Sequence, residues 1–324
     1  VTSTINPPRA TPDPIVPKPS RKQKAVGIRY GLMERMAPYG YIAPFFALFL
    51  VFGLFPLLFT FVVALYDWNP VGSQTFIGLE NFSRLFQDPR FWNASGNTLS
   101  IWLLSTIPQL LIALLLAHLL NHARLKWANF FRMSMLLPYI TSVAATTIVF
   151  AQIFDRDYGI LNHLLEFLGA DRFDFRNSVL GSHVLIATMV VWRWFGYTTL
   201  LYLASLQAIP RDVYEAAAVD GASGWKQFIH ITIPSLRPVI IFTIVTSTIG
   251  GLQIFTEPLL LSPQGQFSCG AMRQCQTLTL FLYEQGFGQF AFGYGSAIGV
   301  VLFGMIVAIA LVNFLLSTRL KGAH

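Results

Sequence analysis

Long apolar runs alternate with short polar stretches along the chain after residue 40. Six of these runs approach or exceed the roughly 20 residues that a helix needs to cross a bilayer core. They cover about 41–66, 99–120, 134–154, 183–206, 238–261 and 292–317. The pattern predicts an all-α membrane protein of six transmembrane helices, held in a domain over 41–320. The third run is the least apolar, because Pro138, Thr141, Ser142, Thr146 and Thr147 interrupt it. Neighbouring helices must satisfy the backbone groups that such residues free, so this span is expected inside the bundle. Residues 1–40 form a tail outside the pattern. Within it, 1–24 combine six prolines with basic residues and no apolar periodicity, which predicts disorder because too little surface is buried to offset ordering entropy. The first apolar run is about 25 residues long and lacks a small-residue cleavage site, so it reads as a span and not as a signal peptide.

Composition sharpens this. The 324 residues are 54% hydrophobic and 11% charged, against about 25% charged in soluble domains. The net charge of +7 does not indicate nucleic acid, because the basic residues stand at the ends of apolar runs and form no patch with interleaved aromatics. With the tail in the cytoplasm, one side of the membrane collects fifteen Lys and Arg and the other six. Cytoplasmic loops carry the excess, so the expected topology is N-in and C-in, with residues 207–237 cytoplasmic. Cys269 and Cys275 then share the last external loop, where a disulfide persists; a bridge and two unpaired thiols both remain open. The six histidines show no metal-ligand spacing, and no metal or catalytic centre is expected. The external loops 67–98 and 155–182 read either as ordered caps or as interfacial helices resting on headgroups.

The polar segment 207–237 has a distinct pattern. Ile209-Pro210 sets up a helix start, and Asp212 and Glu215 lie near the positive end of its dipole. Gly221 permits the positive φ that ends such a helix, and Ser223 opens a second, more amphipathic one. A small-residue face with exposed Trp225 and Phe228 fits a groove on another protein; an interfacial helix pair is the alternative.

The string Leu206-Gln207-Ala208-Ile209-Pro210-Arg211-Asp212-Val213-Tyr214-Glu215-Ala216-Ala217-Ala218-Val219-Asp220-Gly221-Ala222, followed by Trp225, Phe228, Pro234 and Pro238, closely resembles the EAA signature of permease subunits of bacterial ABC importers. The resemblance is to the carbohydrate-uptake, maltose permease-like, type I branch. It extends to Phe76-Ile77-Gly78-Leu79-Glu80-Asn81-Phe82, Leu137-Pro138-Tyr139 and Asp157-Tyr158-Gly159-Ile160-Leu161-Asn162, and covers nearly all the chain beyond the tail. It implies a multi-pass subunit of the bacterial cytoplasmic membrane that pairs with a second homologous permease, as a heterodimer. A separate ATPase dimer binds ATP and Mg, and an extracytoplasmic binding protein delivers a di- or oligosaccharide. The coupling positions are then Glu215, Ala216, Ala217, Asp220, Gly221 and Ala222. This chain itself has no G-x-x-x-x-G-K-[ST] phosphate loop. Glycerol-phosphate-type or other small polar solutes move through similar machinery. A stand-alone secondary transporter ranks lower, since no internal repeat with matched broken spans is visible.

Arg193 is the one Lys or Arg within a predicted span, and an intramembrane charge is a functional candidate by default. Three readings are open: it lines the solute path, it pairs with an acid such as Glu257, or it snorkels to the interface. The resemblance places sugar contacts on Val190, Arg193, Trp194 and Tyr197 before the coupling segment, and on Ser247 and Gly251 after it. Val190 and Gly251 lack the polar side chains expected there, a departure from a maltose-type contact set. Gln253 and Glu257 are further polar candidates near the external end of the fifth span.

Overall fold

The computed structural model describes residues 36–70, 72, 74–122, 127–262 and 266–319. The disorder expected over 1–24 lies outside the described residues. Contacts divide the chain into Val1–Phe59 and Thr60–His324. The first unit holds most of α1 (Met36–Val63), an apolar helix with Phe45, Leu48 and Phe52 exposed. In the second unit a hairpin follows, β1 (Tyr66–Trp68) and β2 (Gln74–Phe76), antiparallel with Asp67 opposite Thr75. It departs from the all-α expectation because three-residue strands are too short to show the period-two alternation that marks a strand. Next come α2 (Glu80–Gln87) and α3 (Pro89–His122). At 34 residues and 1.5 Å per residue, α3 is about 50 Å long and outreaches a hydrocarbon core of about 30 Å, so it begins well before the predicted 99–120.

The third span expected over 134–154 is not one helix. Two helices, α4 (Ala128–Ile140) and α5 (Val143–Ile153), meet at 93°. Thr141 closes α4: its N–H reaches the Leu137 and Pro138 carbonyls at 3.1 and 3.3 Å, and its hydroxyl donates to Leu137 O at 2.7 Å. Thr141 and Ser142 are then extended, with ψ of 142° and 131°. Then follow α6 (Ile160–Phe167), α7 (Val179–Gln207), α8 (Arg211–Val219), α9 (Gly224–Gln227), a π turn over Phe228–Thr232, and α10 (Ile233–Leu252). The predicted fifth span, 238–261, is also broken. After the helix-weakening pair Gly250-Gly251, α10 ends at Leu252 and α11 (Thr256–Leu261) restarts beyond Gln253–Phe255. The chain closes with α12 (Leu278–Tyr283), a π turn over Glu284–Gly288, and α13 (Phe292–Arg319). Five of the described helices are long and apolar enough to cross a bilayer, or six if the bent pair counts as one.

The bundle is built on α3 and α7, which run side by side in the same direction. Asn97 meets His183 at one end, and Gln109 meets Thr198 in the middle. At the other end Ala113 and Ala117 pack in one buried cluster with Tyr202, Leu203, Leu206 and Leu236 of α10. Alanines one turn apart let helix backbones approach closely where burial against lipid supplies no drive. A tighter contact lies between α7 and α4, where a Cβ on Gly196 would collide with the carbonyl of Met135.

Polar side chains tie the connecting loops to this frame. Asn81 Nδ2 donates to the carbonyls of Ala64 and Tyr66, each at 2.9 Å. Asn162 donates to the Asp155 and Phe173 carbonyls and accepts from Phe173 N, so the described parts of the loops over 67–98 and 155–182 are each pinned to the chain by an asparagine. Cys269 and Cys275 are joined by a disulfide. Beneath their loop, Asn97 Nδ2 donates to the Arg273 and Gln276 carbonyls. His183 Nε2 faces Asn97 Oδ1 and Gln274 O, two acceptors, which assigns its proton to Nε2. Glu284 receives Arg273 at 2.6 and 2.8 Å and Gln276 at 2.7 Å. Burial alone would raise the Glu284 carboxyl, but the hydrogen bonds from Arg273 and Gln276 outweigh it and hold the group below its ordinary value.

Two predictions follow from this packing. Gly196→Ala is expected to destabilise the detergent-solubilised protein by about 1–3 kcal/mol, the usual range for overpacking, read as a fall in thermal midpoint; an unchanged midpoint contradicts the close contact with α4. Because the folded Glu284 carboxyl titrates low, its stabilisation is present above the unfolded value of about 4.3 and is lost as pH falls through the folded one. Amide exchange in 267–277 should therefore accelerate below about pH 4, and Glu284→Gln should exchange faster at pH 7 and lose that acid step.

Candidate functional site

A cavity of about 470 Å3 opens between α3, α4, α7, α10 and the α10–α11 break. All eight residues expected on the solute path line it: Val190, Arg193, Trp194, Tyr197, Ser247, Gly251, Gln253 and Glu257. Their convergence follows from the packing. Residues 190, 193, 194 and 197 occupy one face of α7 at helical spacing. α10 runs antiparallel beside it, with Tyr202 Oη 2.7 Å from Thr243 Oγ1, so Ser247 and Gly251 stand level with that face. Beyond the break after Leu252, Gln253 and Glu257 also reach the lining.

Arg193 and Glu257 meet there. Arg193 Nη1 donates to Glu257 Oε1 at 3.4 Å, with the two side chains 16% and 9% exposed. Among the described residues, Arg193 Nε is buried without a partner. The guanidinium therefore both faces the cavity and pairs with the acid, and it does not extend to solvent. On the same face of α7, Tyr197 stacks on Tyr139 of α4 at 5.2 Å and Trp194 meets Tyr139 edge-on at 5.1 Å, three rings left partly exposed toward the space. Trp192 instead packs on Phe150, outside the lining. The missing side chain at Gly251 has a steric cause, since the Trp102 indole of α3 stands where a Cβ would go.

Sequence reasoning missed the contribution of α3 and α4. Ser105, Thr106 and Gln109 line the cavity, and Gln109 Nε2 bridges Thr198 Oγ1 at 3.1 Å and Ser247 Oγ at 3.5 Å. These three, among the five polar residues of the 99–120 run, were the available signal. Tyr139 also lines it; it was visible in Leu137-Pro138-Tyr139, without a role.

The segment with Glu215 lies at the far end of α7. The helix α8 ends in a Schellman closure: Ala222 N donates to Ala217 O at 2.9 Å and Gly221 N to Ala218 O at 3.1 Å, with Gly221 at φ +78°. Ser223 Oγ then caps α9 by accepting from Lys226 N. The turn is braced by Tyr214 Oη to Thr232 Oγ1 at 3.0 Å and by Gln227 Nε2 to Ala222 O at 3.2 Å. Glu215, Ala216, Asp220 and Gly221 are exposed, and Ala217 and Ala222 half-buried. Val219 and Trp225 are 88% and 69% exposed. Phe228, expected on the surface, is half-buried because its ring packs at 4.5 Å on His118 of α3.

Comparison with known proteins agrees with this architecture. Residues 96–321 match the family described as binding-protein-dependent transport system inner membrane component. The chain is 36% identical over 290 residues to the arabinooligosaccharides transport system permease protein AraP of Bacillus subtilis (strain 168), covering 89% of this chain and 91% of that one. It is 35% identical over 277 residues to the lactose transport system permease protein LacF of Rhizobium radiobacter, covering 85% and 91%. In fold it is similar to a chain of a bacterial ABC transporter involved in the import of the acidic polysaccharide alginate. That match has a TM-score of 0.76 and 23% identity over 90% of this chain and 98% of the other. The chain therefore belongs to the binding-protein-dependent transport system inner membrane components, and groups with the sugar-transport permease subunits of ABC importers.

Proposed function

We propose that this permease forms half of the translocation pathway for a di- or oligosaccharide, and that the turn at Gly221 is where a separate ATPase drives it. One observation carries the reading: the exposed turn is joined on both sides, without a flexible linker, to the two helices that supply most of the cavity wall. On the α7 side only Ala208–Pro210 intervene, and on the α10 side helical backbone is nearly continuous from Gly224. Leu206 and Leu236, at the adjoining ends of α7 and α10, are buried in one cluster. A displacement of the turn is thus carried by packed helices to Tyr197 and Ser247.

In this reading the chain is N-in and C-in, so that Glu215 faces the cytoplasm and the disulfide loop faces outward. Glu215 makes a polar contact in a cleft of the ATPase, Ala216 and Ala217 let the surfaces close, and Asp220, Gly221 and Ala222 form the turn that seats. Exposed Val219 and Trp225 supply apolar contact area, as an anchor in a groove does. ATP and Mg are held by the ATPase dimer. A second, homologous permease completes the pathway, and an external binding protein presents the cargo to the end that carries Cys269 and Cys275. The names of the relatives, which include arabinooligosaccharide and lactose permeases, support a carbohydrate cargo. The three rings at Tyr139, Trp194 and Tyr197 support it independently, since an apolar ring face matches the C–H face of a sugar.

The test is ATP-driven uptake by the complete transporter in proteoliposomes. Glu215→Lys and Gly221→Pro are each expected to cut uptake at least about tenfold, the scale of one or two lost docking contacts, while the subunit still inserts and assembles. Near-normal uptake in both variants removes the coupling role from this turn.

A further inference from the structure

We infer that the cavity is built for an uncharged, polyhydroxylated cargo and selects against carboxylated or sulfonated glycans. This rests on the cavity lying on the solute path, as proposed above. The first observation is charge balance. Arg193 and Glu257 are the oppositely charged pair of the lining, and with their contact at 3.4 Å the guanidinium is already neutralised. An anionic cargo must either displace Glu257, leaving a buried carboxylate unpaired, or sit beside it against like charge.

The second observation concerns hydrogen-bond direction. Ser105 Oγ donates to Ile101 O at 2.8 Å, Thr198 Oγ1 to Trp194 O at 3.1 Å, and Thr246 Oγ1 to Phe242 O at 2.9 Å. A hydroxyl has one proton, so these lining groups have committed theirs to the helix backbone and offer only lone pairs inward. Gln109 has likewise turned its amide nitrogen to Thr198 and Ser247, away from the role of a free donor. At these positions the wall receives the O–H groups of a neutral sugar and has no proton to give an acceptor-only carboxylate or sulfonate. The third observation is Glu257 itself, which lines the cavity with Oε1 at 3.4 Å from Arg193 Nη1. A carboxylate is acceptor-only, with about four lone-pair sites, so it can receive a sugar hydroxyl beside the arginine but not a second carboxylate.

This separates the cargo from that of the alginate importer, whose fold this chain shares and whose cargo is an acidic polysaccharide. The experiment is ligand-dependent change in tryptophan fluorescence of the purified complete transporter, with Trp194→Phe as the control that locates the signal in the cavity. The probes are lactose and an arabinose trisaccharide as neutral sugars, against digalacturonate and dimannuronate. Neutral sugars are expected to bind at least about tenfold more tightly, a free-energy gap of about 1.4 kcal/mol. Glu257→Gln, which leaves Arg193 uncompensated, is expected to raise uronate affinity about tenfold or more. Arg193→Gln/Glu257→Gln, which restores neutrality, should show no such gain, so the comparison does not depend on one variant. Equal or tighter uronate binding by the unaltered transporter overturns the charge assignment and leaves the coupling role of Gly221 intact. A signal that no carbohydrate moves overturns this inference together with the cavity's place on the path.

Discussion

Within an apolar bundle every polar side chain must find its partner inside the protein, because lipid offers none. That constraint orders this molecule into three tiers. At one end Asn97, His183, Gln276 and Glu284 fasten the disulfide loop to α3, α7 and α12. At the other end the bundle is apolar, with Ala113, Ala117, Leu206 and Leu236 fully packed and Tyr202 paired to Thr243. Between them the pairing is incomplete. Gln109 joins three helices, Arg193 meets Glu257, and Arg193 Nε finds no acceptor among the described residues. This middle tier is also the one that lines the cavity.

The same tiers assign rigidity. The pinned loops and the alanine-spaced contact of α3 with α7 hold a frame, while the break at Gln253–Phe255 lines the cavity and the break at Thr141–Ser142 follows shortly after the lining residue Tyr139. Breaks leave backbone groups outside the helical ladder, and such irregular backbone is tolerated at membrane depth where it lines a cavity. The turn at Gly221 lies on the far side of the packed tier. In the proposed reading, motion imposed there travels along helices whose side chains interlock and is released where the helices are interrupted. Gly196 adds a constraint on that motion, since α4 rides directly on the α7 backbone at Met135.

Much of this was legible in the sequence. Six apolar runs, a glycine at the only turn in a helical polar segment, and one arginine inside a span led to the bundle, the Schellman closure and the cavity face of α7. Charge made Arg193 and Glu257 visible; Gln109 was not, because an uncharged amide hardly disturbs an apolar run and its value comes from neighbours 89 and 138 residues away. The 93° bend was hidden for a related reason. Pro138 announces a disturbed helix, but a kinked continuous span and a true break share that signal, and extended backbone at Thr141 and Ser142 decides between them. Asn81 and Asn162 stand in stretches that carry the family resemblance but had no role there, although each satisfies carbonyls that would otherwise be stranded. Phe228 was misplaced because amphipathic spacing marks an apolar face without saying that His118 covers it.

The central claim is that this chain moves sugar only when an ATPase works through the turn at Gly221. The most direct measurement compares uptake of a radiolabelled neutral oligosaccharide into proteoliposomes holding this chain alone with uptake into proteoliposomes holding it with its partner permease, ATPase and binding protein. Uptake that appears only in the complete assembly and only with ATP is the predicted result; uptake by the isolated chain that ATP leaves unchanged contradicts the account.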